Sequence, residues 1–283
     1  MEIVVASQNV SRGGIRSGNG DPQDRWPVIA EALTSVSPDI VLIQEAEGWS
    51  ADAARQLVRA ETDLDMDGIL SPSRTGLGPA LLYRRETLGR RQYVNSDFSL
   101  DETHHGYTTV GWSLPTALPA LLCAGSVHFT PYDATKAKQE ANFVASRVHR
   151  AGGGYAILGG DVNFAPQDGP EPDLTMMRPY NRGSRLLPSV NGEPPRADRS
   201  VAQVLADNGF VDVARHLHQA TGDEALIAPT AGGLRIDQIW VSGALAPCII
   251  DYGVLDHGAS DHPGLWTRLD LSRAATDDVW EYV

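Results

Sequence analysis

The chain is predicted to fold as an α+β protein of two packed, mostly antiparallel sheets with helices on the outside. Three observations predict it: apolar, β-branched runs recur along most of its length, helical spacing fills only some of the gaps, and strand-like runs between 79 and 127 follow one another with little room for helices. The first run, 2–8, opens almost at the N-terminus. A helix is expected over 25–36, with Asp24 as its N-cap and Pro27 in its first turn. The runs at 39–43, 80–84, 107–114 and 119–127 are read as strands, the last three as an antiparallel meander. Ala, Val, Leu and Phe at helical intervals predict helices over 134–149 and 199–208, and 155–159, 236–241 and 247–254 complete the strands.

No repeat or break in composition divides the 283 residues, so one domain spanning 1–283 is expected, with a long irregular loop at 164–198 and a C-terminal tail at 272–283. With 36 Asp and Glu against 23 Lys and Arg, the net charge is -13. Such a field repels nucleic acid and anionic membranes, so any phosphate must be bound through a metal or a few placed cations. Cys123 and Cys248 lie in apolar runs far from metal-type spacing and read as buried free thiols. The chain shows no apolar run of membrane length and no charged leader, and a cytoplasmic monomer that does not engage membranes is expected.

Polar residues end these strands. "VVASQN" delivers Asn9, "DIVLIQE" Glu45, "AGSVHF" His128, "AILGGDVN" Asp161 and Asn163, "RIDQIWVS" Asp237, and "GASDHP" Asp261 and His262. Each has an ordinary reading: a turn former, a surface charge, a core histidine, a cap. Six strand or loop ends with the same cargo point instead to a site built on a rigid scaffold. Glu45, Asp161 and Asp261 converging would repel one another unless a hard cation held them, and Asp, Glu and Asn oxygens suit magnesium or manganese.

The ordered set N, QE, H, GD-x-N, D and SDH over 9–262 resembles the endonuclease/exonuclease/phosphatase superfamily, the deoxyribonuclease-I-like metal-dependent phosphoesterases. The resemblance implies a four-layer αββα sandwich and a hydrolase acting on phosphate ester bonds with Mg2+, Mn2+ being able to substitute. It implies that Glu45 binds the metal, with Asn9 and Asp261 in or near its shell, and that Asp161 orients or deprotonates the attacking water. Asn163 is then placed to donate its amide to a phosphate oxygen, His262 to contact the phosphate with Asp237 fixing its tautomer and charge, and His128 to make a second phosphate contact. The sequence departs from the pattern at Ser11, which is acidic in some nucleases of the family, and at Lys136 and Lys138, where many relatives carry an Arg. No partner for His128 can be assigned.

For substrate, a nuclease or other phosphodiesterase acting on DNA or RNA ranks first, and a phosphatase or phosphodiesterase of a small phosphorylated metabolite or nucleotide second. A lipid phosphodiesterase ranks third, because no apolar docking loop is visible. A catalytically silent binding module on the same fold would be favoured by loss of Glu45, Asp161 or His262, and all are present. Nucleic acid would have to be met by local Arg contacts: Arg12 and Arg16, Arg84, Arg85, Arg90 and Arg91, or Arg178, Arg182, Arg185, Arg196 and Arg199 in the long loop. Five acidic residues balance those last five, so a solvated face is the plainer reading. His104 and His105, and His216 and His218 on a helical stretch, read as solvated; His257 lies near the SDH loop; Trp26 and Trp49 read as core anchors.

Overall fold

A computed structural model of the chain describes residues 1–189, 192–255, 259–277 and 279–280. His257, and Asp278 and the last three residues of the expected tail, lie outside them. The strands are β1 Glu2–Asn9, β2 Ile40–Gln44, β3 Asp67–Leu70, β4 Ala80–Tyr83, β5 Arg91–Asn95, β6 Tyr107–Ser113, β7 Leu121–His128, β8 Ala156–Asp161, β9 Phe210–Asp212, β10 Asp237–Ser242, β11 Ile249–Val254 and β12 Leu265–Asp270. The helices are α1 Trp26–Thr34, α2 Ala51–Leu64, α3 Arg85–Leu88, α4 Ser99–Glu102, α5 Ala134–Ala151, α6 Pro179–Arg185, α7 Ser200–Asp207 and α8 Val213–Thr221. No helix among the described residues is long and apolar enough to cross a membrane.

Two six-stranded sheets form, in the orders β11-β12-β1-β2-β4-β3 and β5-β6-β7-β8-β10-β9. Alternation along the strands creates the layers. In β2, Ile40 and Leu42 face Ile157 and Ile239 of the other sheet, while Val41 and Ile43 face Trp26, Leu33 and Ala60 of α1 and α2. On the far side, Ala156 and Leu158 of β8 pack against Ala141, Val144 and Val148 of α5 and Leu205 of α7. The result is the expected four-layer αββα sandwich.

Each sheet contains one parallel pair, β1 with β2 and β7 with β8, among antiparallel neighbours. Parallel partners end on the same side, and these two pairs discharge their C-terminal residues at one edge of the sandwich. Gly159 and Gly160 let the sheets approach there. A Cβ on Gly159 would stand 2.6 Å from the Leu42 side chain, and one on Gly160, whose φ is 150°, would stand 1.9 Å from the Val127 carbonyl oxygen.

Three expectations need correction. Arg25, not Asp24, occupies the N-cap of α1 and makes no side-chain cap bond. Asp24 instead forms a two-pronged pair with Arg59 of α2, at 3.0 and 3.1 Å. The segment 79–127 is not one meander: β4 belongs to the first sheet, and only β5, β6 and β7 are consecutive antiparallel neighbours, because α3 and a turn at Gly89 (φ 73°) separate β4 from β5. The segment 164–198 is not wholly irregular either, since it holds α6 and an antiparallel bridge between Leu186 and Ala197.

Candidate active site

Strand register builds the site. Asp161, the last residue of β8, stands opposite His128 of β7 on one side and Asp237 of β10 on the other. In the facing sheet Asn9 stands opposite Gln44, so Glu45 follows directly beyond the strand end. The chain turns sharply at these ends: Ser11, Arg12, Glu45 and Asn163 all hold positive φ, between 48° and 64°. Such strain in non-glycine residues concentrates where a site fixes its backbone.

Asn9 joins the two sheets. Its Nδ2 donates to Glu45 Oε1 at 3.3 Å and to Asp161 Oδ2 at 3.2 Å, and its Oδ1 accepts the Ser11 N–H at 2.9 Å. The other Glu45 oxygen accepts the Arg12 N–H at 3.0 Å. Ser11, standing where some relatives have an acid, therefore orients Asn9 through its backbone. Asp161 is fully buried: Oδ1 accepts the Asn163 N–H at 2.9 Å, and Oδ2 lies 3.5 Å from His128 Nε2. Burial raises its proton affinity, against the opposing pull of His128 and His262.

His262 Nδ1 lies 2.9 and 3.1 Å from the two oxygens of Asp237. Burial by itself would lower the imidazole, but the charge and hydrogen bond of Asp237, with further help from Asp161 and Asp261, raise it to about 10. His262 is therefore an imidazolium at neutral pH. The loop carrying it is pinned to β1, because Gln8 donates to the His262 carbonyl and Ser260 to the Asn9 carbonyl. Donor atoms of Asp161, Asp237 and His262 lie within 4.8 Å of one another, and Glu45 and Asp261 stand outside that group. Asp261 is exposed and contributes its charge rather than a hydrogen bond among the described residues.

His128 has a neighbour that sequence reasoning missed. His105 is buried, not solvated, and its ring stacks on His128 with centroids 4.0 Å apart and planes 13° from parallel. Thr75 Oγ1 holds His105 Nδ1 at 2.9 Å. The buried Glu140 of α5 accepts the N–H groups of His104 and Thr130, both at 2.8 Å, and so fixes the loops bearing the two rings. Desolvation, with His128, His104 and Lys136 nearby, lowers His105 to about 2. Burial lowers His128 as well, against the pull of Asp161, so this pair is neutral while His262 is charged.

A cleft of about 630 Å³ opens over these groups, lined among others by Glu45, His105, His128, Asp161, Asn163 and His262. Tyr132 and Tyr180 also line it, 73% and 81% exposed. Arg185, in sequence one of five loop arginines offered as nucleic-acid contacts but balanced by five acids, is the one Arg or Lys lining it among the described residues. Its Nη2 donates to Asn163 Oδ1 at 2.5 Å, while Asn163 Nδ2 donates to the Phe129 carbonyl at 2.9 Å. Other arginines serve the backbone: Arg84 reaches the carbonyls of Pro38, Leu64 and Asp65, and Arg199 those of Pro166, Gly169 and Pro170. Lys136, Lys138, His216 and His218 do not line the cleft. Trp26 and Trp49 are core residues in edge contact at 5.3 Å, and both cysteines are buried and free.

The fold is shared with solved phosphoesterases. A 3'-5' exonuclease (NExo) from Neisseria meningitidis superposes with a TM-score of 0.63 at 21% identity, over 95% of this chain and 100% of that one. An endonuclease/exonuclease/phosphatase from Bacteroides vulgatus gives 0.62 at 15% identity, over 95% and 99%. ANGEL2, a 2',3'-cyclic phosphatase, gives 0.61 at 12% identity, over 96% of both chains. No curated protein sequence matches the chain. Residues 6–262 do match the sequence model of one family, and that span contains every strand-end residue of the cleft: the chain belongs to the Endonuclease/Exonuclease/phosphatase family.

Proposed function

We propose that the protein is a divalent-metal-dependent nuclease that hydrolyses a phosphodiester of DNA or RNA by water attack on phosphorus, and that it favours unpaired nucleotides. The observation that carries this reading is the cleft itself: a buried carboxylate, an imidazolium and two neutral imidazoles at its floor, and two exposed tyrosines along its walls. Exposed aromatic rings beside a phosphate site suit the faces of unstacked bases. A duplex reader needs a row of backbone-tracking cations. The lining offers one guanidinium.

The donor set fits a hard cation, since Glu45 and Asp161 present carboxylate oxygens held side by side on one amide. Glu45, with Asn9 and Asp261 beside it, would hold magnesium, or manganese in its stead, and the ion would supply charge neutralisation for the phosphate and the leaving oxygen. Asp161 orients the attacking water and accepts its proton; its burial makes it a stronger base than an exposed aspartate. The water oxygen bonds to phosphorus as the P–O bond opposite breaks, and the leaving oxygen keeps that electron pair. His262, kept charged by Asp237, faces the nonbridging oxygens, and His128 adds a neutral donor.

The test compares turnover of bis-para-nitrophenyl phosphate, para-nitrophenyl phosphate, and single-stranded and duplex oligonucleotides, in magnesium and in excess chelator. Cleavage of the diester and of single strands, abolished by chelator and restored by magnesium, is expected. Full turnover without metal would overturn the reading, and faster cleavage of the monoester than of any diester would transfer the protein to the phosphatases.

A further inference from the structure

Buried guanidinium groups need a compensating anion, because an unpaired charge out of water costs far more than a neutral polar group. The protein supplies one where the role is architectural. Arg235 is 3% exposed, and both of its terminal nitrogens donate to the carboxylate of Asp212. Arg185 is almost as buried, at 6%, yet has no carboxylate within 4.0 Å among the described residues. Among the described residues its guanidinium donates to a neutral amide oxygen, that of Asn163, and its Nε is shielded from solvent without a partner.

The position of Arg185 is not a loose one. It closes α6, its carbonyl accepts the Asp198 N–H at 2.8 Å, and the Leu186–Ala197 bridge follows immediately. Asn163, which grips the guanidinium, is itself held by the Phe129 carbonyl and by its own N–H on Asp161. A fixed cation with unsatisfied donor capacity thus stands in the wall of the cleft that contains Asp161 and His262.

We propose that Arg185 joins His262 in receiving the nonbridging oxygens of the phosphoryl group, and that Asn163 acts through it as a positioning residue rather than by donating to phosphate itself. A planar fork of N–H donors matches two phosphate oxygens, and the anion supplies the direct pairing that Asp161 and Asp237, acting only at a distance, do not. The proposal rests on the phosphoesterase reading of the cleft. It gives the segment 164–198 its work: α6 carries the phosphate cation at its buried end and Tyr180 at its exposed end.

The test uses Arg185→Met and Arg185→Lys in the full chain, with two probes. Inorganic phosphate is titrated while thermal melting is followed, and kcat and KM are measured on one phosphodiester at saturating magnesium. Replacing a buried charge that no carboxylate pairs directly by an apolar residue of similar length removes its desolvation cost but leaves Asn163 Oδ1 without its donor, so the melting temperature should change little. Arg185→Met should then lose protection by phosphate and about a hundredfold or more in kcat/KM, the scale of one lost oxyanion donor, with Arg185→Lys between it and the parent. A purely structural Arg185 would show the reverse: a lower melting temperature with phosphate protection and kinetics intact, which overturns the proposal. Loss of phosphate protection with unchanged diester kinetics would also overturn it, since the residue would then bind free phosphate only. If the parent protein cleaves no phosphoester at all, the functional reading fails on that ground, while phosphate protection still decides the role of Arg185.

Discussion

Replacing Asp237 with Asn isolates the charge of one carboxylate at nearly constant volume. In the parent, Asp237 lies 2.9 and 3.1 Å from His262 Nδ1, and raises the imidazole to about 10 against a burial effect of opposite sign. Asn retains an acceptor oxygen but no charge, so burial is opposed only by Asp161 and Asp261 and the imidazole falls toward its ordinary value of about 6.5. At pH 8 the parent His262 is about 99% charged and the variant about 3%, so a mechanism that needs imidazolium loses roughly thirtyfold. At pH 5.5 the variant is about 90% charged for a value of 6.5, and most of the loss should be recovered. The assay is kcat/KM for one phosphodiester from pH 5 to 9 at saturating magnesium. A deficit that is the same at every pH, or absent, would refute the reasoning. Stability gives a second readout with a definite sign. The folded value lies above the unfolded one, so the pair's contribution is fully present below about 6.5 and is lost as pH rises through about 10. The melting temperatures of parent and variant should therefore differ most near pH 6 and converge toward pH 10.

Three further outcomes are expected. Asp161→Asn keeps the oxygen that accepts the Asn163 N–H but turns an amide toward the Asn9 Nδ2, so it should fold with a lowered melting temperature and lose about a thousandfold in turnover, the scale of a positioned base and its water; near-parental rates would make the strand end a simple turn. Gly160→Ala should cost about 3 kcal/mol or more, read by urea unfolding, because its Cβ would meet the Val127 carbonyl oxygen at 1.9 Å in a backbone conformation with φ of 150°. Neither thiol should react with a thiol reagent at pH 8 before unfolding, since burial raises Cys123 to about 12 and Cys248 to about 11; rapid labelling of the native protein would contradict that.

Most long central strands were legible because their apolar residues are continuous and punctuated by Gly, Asn or Asp, as in "AILGGDVN". Others escaped for identifiable reasons. β9 is three residues long, and the edge strand β5 is mostly exposed, so neither carries a continuous apolar run. The alternation of β12, with Leu265, Thr267 and Leu269 buried, was present in the sequence but is interrupted by polar residues on both faces. Asp24 looked like a cap because local chemistry favours it, and Arg59 of α2 claimed it through a contact spanning 35 residues.

The strand-end polar residues of the site could be listed from the sequence alone, because each is written at the boundary between a buried run and a turn. Which of them meet could not. Asp161 faces His128 and Asp237 across separations of 33 and 76 residues, and only the pairing register of β7, β8 and β10 decides that. His105 reads as solvated in "DETHHG", and becomes buried because Glu140 of α5 captures the neighbouring N–H groups and His128 offers a ring to stack on. Arg185 sits in a stretch whose charges cancel in sequence, yet not in space: Arg199 finds Glu171, whereas Arg185 is turned inward onto Asn163. A sequence records which charges are present, and burial decides which remain uncompensated, since the desolvation that gives a charge its chemical value exists only once the sheets and the loop have closed around it.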